Sequence, residues 1–180
     1  APRCPAIYQD VLYAPPNMAA ELVGGALYLS RALPVLHGHA RFRLAAPLAR
    51  FDDGAHPDPW WFASGPELHL GEDVLVPHVA SWRRRRMSTF PDMPAIELAP
   101  DWVCEILSPA NRAFAADGKH ATYAAHGIGH LWVVDPEARR VEAFALSRGA
   151  WTLAGSAQGD DPVSLPPFDA TAFPLSALWP

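Results

Sequence analysis

The segment WVCEILSPANRAFAADGKHATYAAHGIGHLWVVD, from Trp102 to Asp135, limits the possible folds more than any other part of the chain. Residues 102–107 are an apolar run closed by Ser108-Pro109, and read as a buried strand. Residues 111–126 read as a helix, with Gly127 to Gly129 as its stop, and residues 130–135 as a second strand. Strands before and after a crossover helix suggest a mixed sheet flanked by helices.

The flanking segments add to that unit. Residues 8–13 are a short helical candidate halted by Pro15-Pro16. Residues 21–30 (ELVGGALYLS) form a hairpin pattern through Gly24-Gly25, which tolerate positive φ. Helical spacing runs over residues 37–48, and residues 51–59 are a polar loop. Residues 60–82 read as two strands, WWFASGPELHL and VLVPHVASW, joined at Gly71-Glu72-Asp73. After a long connection at residues 83–100 come the central unit, a hairpin around DPEAR and a strand at residues 151–157. From Asp160 the chain is proline-rich and expected at the periphery. The fold class is therefore α/β, a mixed α+β sheet flanked by helices. The chain is expected to be one domain over residues 1–180, with a core of about 20–158 and a tail of 159–180.

Composition excludes several functions. A formal net charge of −5 rules out a wholly basic surface, so contact with nucleic acid must come from a local patch. Cys4 and Cys104 lie far apart and give no disulfide framework or zinc spacing, as expected of a protein of the reducing cytoplasm. Cys104 adjoins Glu105 on its strand, points to the opposite face and reads as core. No apolar run is long enough to cross a membrane and no leader pattern opens the chain, so no membrane association is expected. Twenty prolines and few charges fit a loop-rich domain that buries surface against a partner subunit.

Glu105 is the first candidate for chemistry. A carboxylate inside an apolar strand is costly unless it is paired or bound to a metal. It stands near the strand's carboxyl end, where sites of open α/β sheets gather. A solvated edge position is the bland alternative. Lys119, on an alanine-lined helix four residues before Tyr123, carries weight only beside such a glutamate. There it would orient water or stabilise charge on a phosphate. Asp101 is a false lead: four strand residues set it roughly 13 Å from Glu105, too far to share an ion. A second ligand must come from a neighbouring strand, and there VLVPHVAS offers His78.

Other candidates are weaker. His37 with His39, and His120 with His126 and His130, lack any zinc-site spacing. Glu67 and His69 share one strand face. Arg83, Arg84, Arg85 and Arg86 form one basic cluster, suited either to DNA phosphates or to acidic neighbours. Trp60, Trp61, Trp102 and Trp132 read as core. Gly24-Gly25 lacks the lysine and helix of a phosphate loop, and Ser108 lacks a nucleophile-elbow context.

Taken in order, AAELVGGALYLS, WWF…PELHLGEDVLVP, VLVPHVASWRRRRM, DWVCEILSP, KHATYAAHGIGHLWVVDP and FDATAFPLSALW resemble the Uma family of endonucleases, within the PD-(D/E)XK restriction-endonuclease-like superfamily. The resemblance covers nearly the whole chain. It implies a restriction-endonuclease-like core with an extra N-terminal hairpin, and metal-dependent hydrolysis of DNA phosphodiesters. The family's Pro-Asp falls on Pro77-His78, its glutamate on Glu105, its lysine on Lys119 and its N-terminal acid on Glu21. This implies catalytic roles for Glu105, Lys119 and His78, and metal ligation by Glu105, His78 and Glu21. The ion implied is Mg2+ or Mn2+, and a homodimer fits the cutting of two strands. The chain departs from the pattern at His78, where an aspartate is expected, and at Ala115, where relatives often carry an acid. Asp117 is out of register with that position. Imidazole suits manganese or other transition ions better than magnesium. So the chain uses another metal, recruits an acid such as Glu67, or has become a non-catalytic DNA- or protein-binding module.

Overall fold

In the computed structural model, which describes residues 5–31, 34–170 and 172–180, the chain forms two sheets that meet at one seam. Cys4 and the side chain of Asp117 lie outside the described residues. The order begins α1 (Tyr8–Leu12), β1 (Met18–Val23), β2 (Ala26–Arg31), α2 (Val35–Asp52), β3 (Trp60–Ser64), β4 (Glu67–Leu70), β5 (Asp73–Leu75), β6 (Val79–Arg83), β7 (Ala95–Ile96) and β8 (Trp102–Ile106). It continues with α3 (Arg112–Phe114), a π-helical turn (Ala115–Lys119), α4 (His120–Ala125), β9 (His130–Asp135), β10 (Arg140–Ser147), β11 (Ala150–Gln158), β12 (Pro162–Val163), β13 (Phe173–Pro174) and a 3-10 turn (Leu175–Leu178). One sheet runs β2-β1-β5-β4-β7 and the larger one β11-β10-β9-β8-β6-β3, with β12-β13 as a small ribbon. β8 and β9 are parallel neighbours joined by the helical crossover, while β8 and β6 are antiparallel. This is the mixed α+β architecture expected of the central segment.

The β1–β2 hairpin forms through Gly24 and Gly25 at φ 57° and 72°, values an L side chain rarely adopts. The two strands expected over residues 60–82 are instead four. Gly65, at φ 62°, and Pro66 end the first early, and Pro77 cannot donate a ladder hydrogen bond within the second. β3 and β6 then join the large sheet, whereas β4 and β5 join the small one. Val76, Pro77 and His78 are thereby left at the crossing between the sheets. The expected helix over residues 111–126 is likewise divided by the π-helical turn that carries Lys119.

β8 is buried on both faces, as a central strand should be. Trp102, Cys104 and Ile106 pack into one core with α2, β9 and β10. Val103 faces the other core, built with β4, β5 and Tyr123 of α4. Trp60, Trp102 and Trp132 are core as expected, and Trp61 is half-buried. The proline-rich tail is not peripheral. Val163, Leu165, Phe168, Leu175, Leu178 and Trp179 are buried in the first core. The Phe168 ring stands 5.1 Å from both Trp60 and Trp102 and 5.8 Å from Trp132. The large sheet has an apolar face there that α2 alone does not cover, so prolines here shape a covering segment rather than mark a loose end.

Candidate active site

At the seam, four elements aim polar groups at one buried point. β8 supplies Glu105, its fourth residue, on the face that bears Val103. His78 sits directly before β6, whose register pairs Val79 with Cys104, so the imidazole stands opposite Glu105. β1 of the small sheet brings Glu21, and the π-helical turn brings Lys119, the only lysine in the sequence. Glu21, Glu105 and Lys119 are 4%, 1% and 3% exposed, so their interactions are those of a buried network rather than of screened surface pairs.

The Lys119 ammonium has three donors and meets three acceptors. Its Nζ lies 2.7 Å from Glu105 Oε1, 2.8 Å from Glu21 Oε1 and 2.9 Å from the Val76 carbonyl. The Val76 N–H in turn donates to Glu21 Oε1 at 2.7 Å. The Tyr123 hydroxyl donates to Glu105 Oε1 at 2.5 Å. Burial by itself would push the Glu105 carboxyl up, but the Lys119 charge and His78 outweigh it and hold its pKa down to about 2. Burial likewise works against the Lys119 charge, yet Glu105 and Glu21 raise its pKa overall. Burial and then the Glu105 charge push the Tyr123 hydroxyl well above its ordinary value. The network is thus ionic, with two carboxylates, one ammonium and a neutral phenol.

His78 Nδ1 lies 2.6 Å from Glu105 Oε2, and the Ile106 N–H points at the same nitrogen from 3.1 Å. Two lone pairs cannot face each other at 2.6 Å, so a proton stands between Nδ1 and the ionised oxygen. A carboxylate oxygen beside an imidazole nitrogen suits manganese or another imidazole-tolerant ion better than magnesium. An ion would take these two donors only in place of that proton, with its shell completed largely by water. Among the described residues no group of three or more His, Cys, Asp or Glu side chains is arranged to hold an ion.

These four side chains line a cleft of about 170 Å³, together with Ser30, Arg31, Arg41, Gly65, Ser108, Asn111 and Ala115. Asn111 shapes its floor, accepting from the Ser108 N–H at 2.6 Å and donating to the Ile106 carbonyl at 3.0 Å. Ala115 faces the cleft where an acid was the family expectation. Glu67 stands apart, accepting from Tyr8 at 2.9 Å and pairing with His69 at 2.7 Å. Asp101 also stands apart, accepting from the Arg83 N–H at 2.9 Å and pairing with Arg86 at 2.9 Å.

The arginine run does not reach the cleft. It follows the far end of β6, about 16 Å of strand from His78. Its charges are met locally: Arg83 and Arg85 by Asp58, Arg84 by Asp52 and Arg86 by Asp101. Arg83 and Arg84 also lie over the rings of Trp60 and Trp61, at 4.2 and 3.6 Å. Tyr123 and Asn111 are the polar partners that the sequence reading gave no role. For Tyr123 the signal was its i+4 spacing from Lys119, which puts both on one helix face.

Residues 7–176 match the family model Uma2, described as putative restriction endonuclease. A solved structure from Anabaena variabilis, described as a putative nuclease belonging to DUF820, is similar over 97% of each chain, with a TM-score of 0.75 and 18% identity. At that identity the likeness speaks for the fold. No curated protein matches the sequence.

Proposed function

The chain belongs to the Uma2 family, and from that premise we propose that it is a DNA endonuclease hydrolysing phosphodiester bonds with a divalent ion at the Glu105–His78 pair. The observation that supports this reading is Glu105 itself. It is a wholly buried carboxylate, held ionised at the carboxyl end of a central strand, inside a cleft that also holds a second carboxylate, an imidazole and an ammonium. Glu105 Oε2 and His78 Nδ1 would be the donors for the ion, with Glu21 beside them. When bound, such an ion supplies a polarised phosphoryl oxygen and a water of lowered pKa.

The chain's own residues do the positioning. Lys119 and Tyr123 fix Glu105 through Oε1 and leave Oε2 turned to His78. The Val76 N–H fixes Glu21. Lys119 is saturated by protein acceptors, so in this arrangement it orients the two acids. It reaches a phosphate oxygen only by releasing one of them. A homodimer would place two such clefts against the two strands of a duplex.

The second reading, a non-catalytic nuclease fold that binds DNA or protein, is favoured by the same saturation: both Glu105 oxygens already have protein partners. Plasmid cleavage in Mg2+ and in Mn2+ separates the two, using the native chain, His78→Asp and Glu105→Ala. Cutting by the native chain, strongest in Mn2+ and lost in Glu105→Ala, supports the enzyme. Cutting by His78→Asp alone identifies a site that has lost one acid. Failure of every chain to cut refutes the hydrolytic reading.

A further inference from the structure

A phosphodiester entering this cleft meets a net negative charge on the buried triad at its floor. Glu21 and Glu105 contribute two charges and Lys119 offsets one, so the backbone of a nucleic acid needs countercharge elsewhere on the wall. The expected source, residues 83–86, is spent on Asp52, Asp58 and Asp101 at the far end of β6. Two other arginines line the cleft, Arg41 from α2 and Arg31 from the end of β2.

Arg41 stands out for what it lacks. It is half-buried, yet among the described residues no carboxylate or hydrogen-bond acceptor engages it. An arginine that buries its stem and leaves its guanidinium without a protein partner keeps those donors free for an anion. Its reach is set by the turn between β3 and β4. Nη1 lies 3.9 Å from where a side chain on Gly65 would begin, and Gly65 holds φ 62° and donates its N–H to the His78 carbonyl at 3.0 Å. The guanidinium therefore rests against a turn that is hydrogen-bonded to the backbone of His78.

We propose that Arg41, with Arg31 outside it, is the phosphate-holding position of the cleft and seats the DNA backbone beside Glu105 and His78. A planar guanidinium with several donors suits a phosphate better than a point charge does. The proposal rests on the nuclease reading for its substrate class, but it concerns binding and not hydrolysis.

The test is fluorescence anisotropy of a labelled DNA duplex, without divalent ion, over a salt series. It compares the native chain with Arg41→Gln, Arg41→Lys and Arg148→Gln, the last an exposed turn residue away from the cleft. Arg41→Gln is expected to bind about tenfold more weakly at low salt. Its plot of log K against log salt should be shallower by about one unit. Arg41→Lys should keep the slope, and Arg148→Gln should match the native chain. Equal behaviour of Arg41→Gln and Arg148→Gln, or no DNA binding by the native chain, overturns the assignment. The outcomes separate the two ideas. A chain that cuts but ignores Arg41→Gln refutes only this inference, and one that needs Arg41 to bind yet never cuts refutes only hydrolysis.

Discussion

Replacing Lys119 with methionine tests the buried network directly. Methionine keeps most of the apolar stem, so the loss is the charge and its three hydrogen bonds. Each of the two carboxylate contacts, at 2.7 and 2.8 Å, has a gross attraction of about 6 kcal/mol at an effective dielectric near 20. Much of that is offset by the desolvation of all three groups. Removing one partner of a buried pair leaves the desolvation cost without the attraction, and the net loss is about 3–5 kcal/mol. For a chain of this length that corresponds to a melting temperature lower by about 6–20 °C at neutral pH. A second signature follows from Glu105. Without Lys119 its main stabilising charge is gone and burial pushes its carboxyl up, so the variant should regain stability as pH falls from 7 to 5. The native chain should gain nothing from these groups over that range. Calorimetry or thermal circular dichroism at both pH values is the assay. A Lys119→Met chain that melts with the native one at pH 7, or whose deficit is unchanged at pH 5, refutes the network.

Three further outcomes are expected. The native chain should hold its stability down to about pH 4.5 and lose it as pH falls toward 2, since Glu105 has a depressed folded pKa of about 2. The raised Lys119 and Tyr123 values put the alkaline loss above the ordinary lysine and tyrosine range, and denaturant midpoints over a pH series read both limbs. Tyr123→Phe removes a donor to a buried carboxylate and should cost about 1.5–3 kcal/mol in urea unfolding, less in a Glu105→Gln background. Phe168→Ala should cost about 3–5 kcal/mol by the same assay, because the ring fills the aromatic core over the large sheet; a loss under 1 kcal/mol would return the tail to the periphery.

Local patterns carried the parts of this molecule that depend on local rules. Alternation along β8 put Cys104 and Glu105 on opposite faces, and the glycine pair placed the first hairpin. The family resemblance, read from motifs in order, singled out Glu21, His78, Glu105 and Lys119, and the fold draws all four into one cleft. What lay beyond the sequence was pairing between distant segments. The arginine run looked like a phosphate patch until folding set Asp52, Asp58 and Asp101 beside it, the first two more than twenty residues away. Arg41 was one arginine among several on a helix until the β3–β4 turn met it. The tail looked loose because prolines and short apolar runs have no period, yet the apolar face it covers belongs to strands far upstream. Period and turn chemistry are properties of a few neighbouring residues, whereas charge compensation and coverage are properties of the packed whole, and only the tertiary structure brings those partners together.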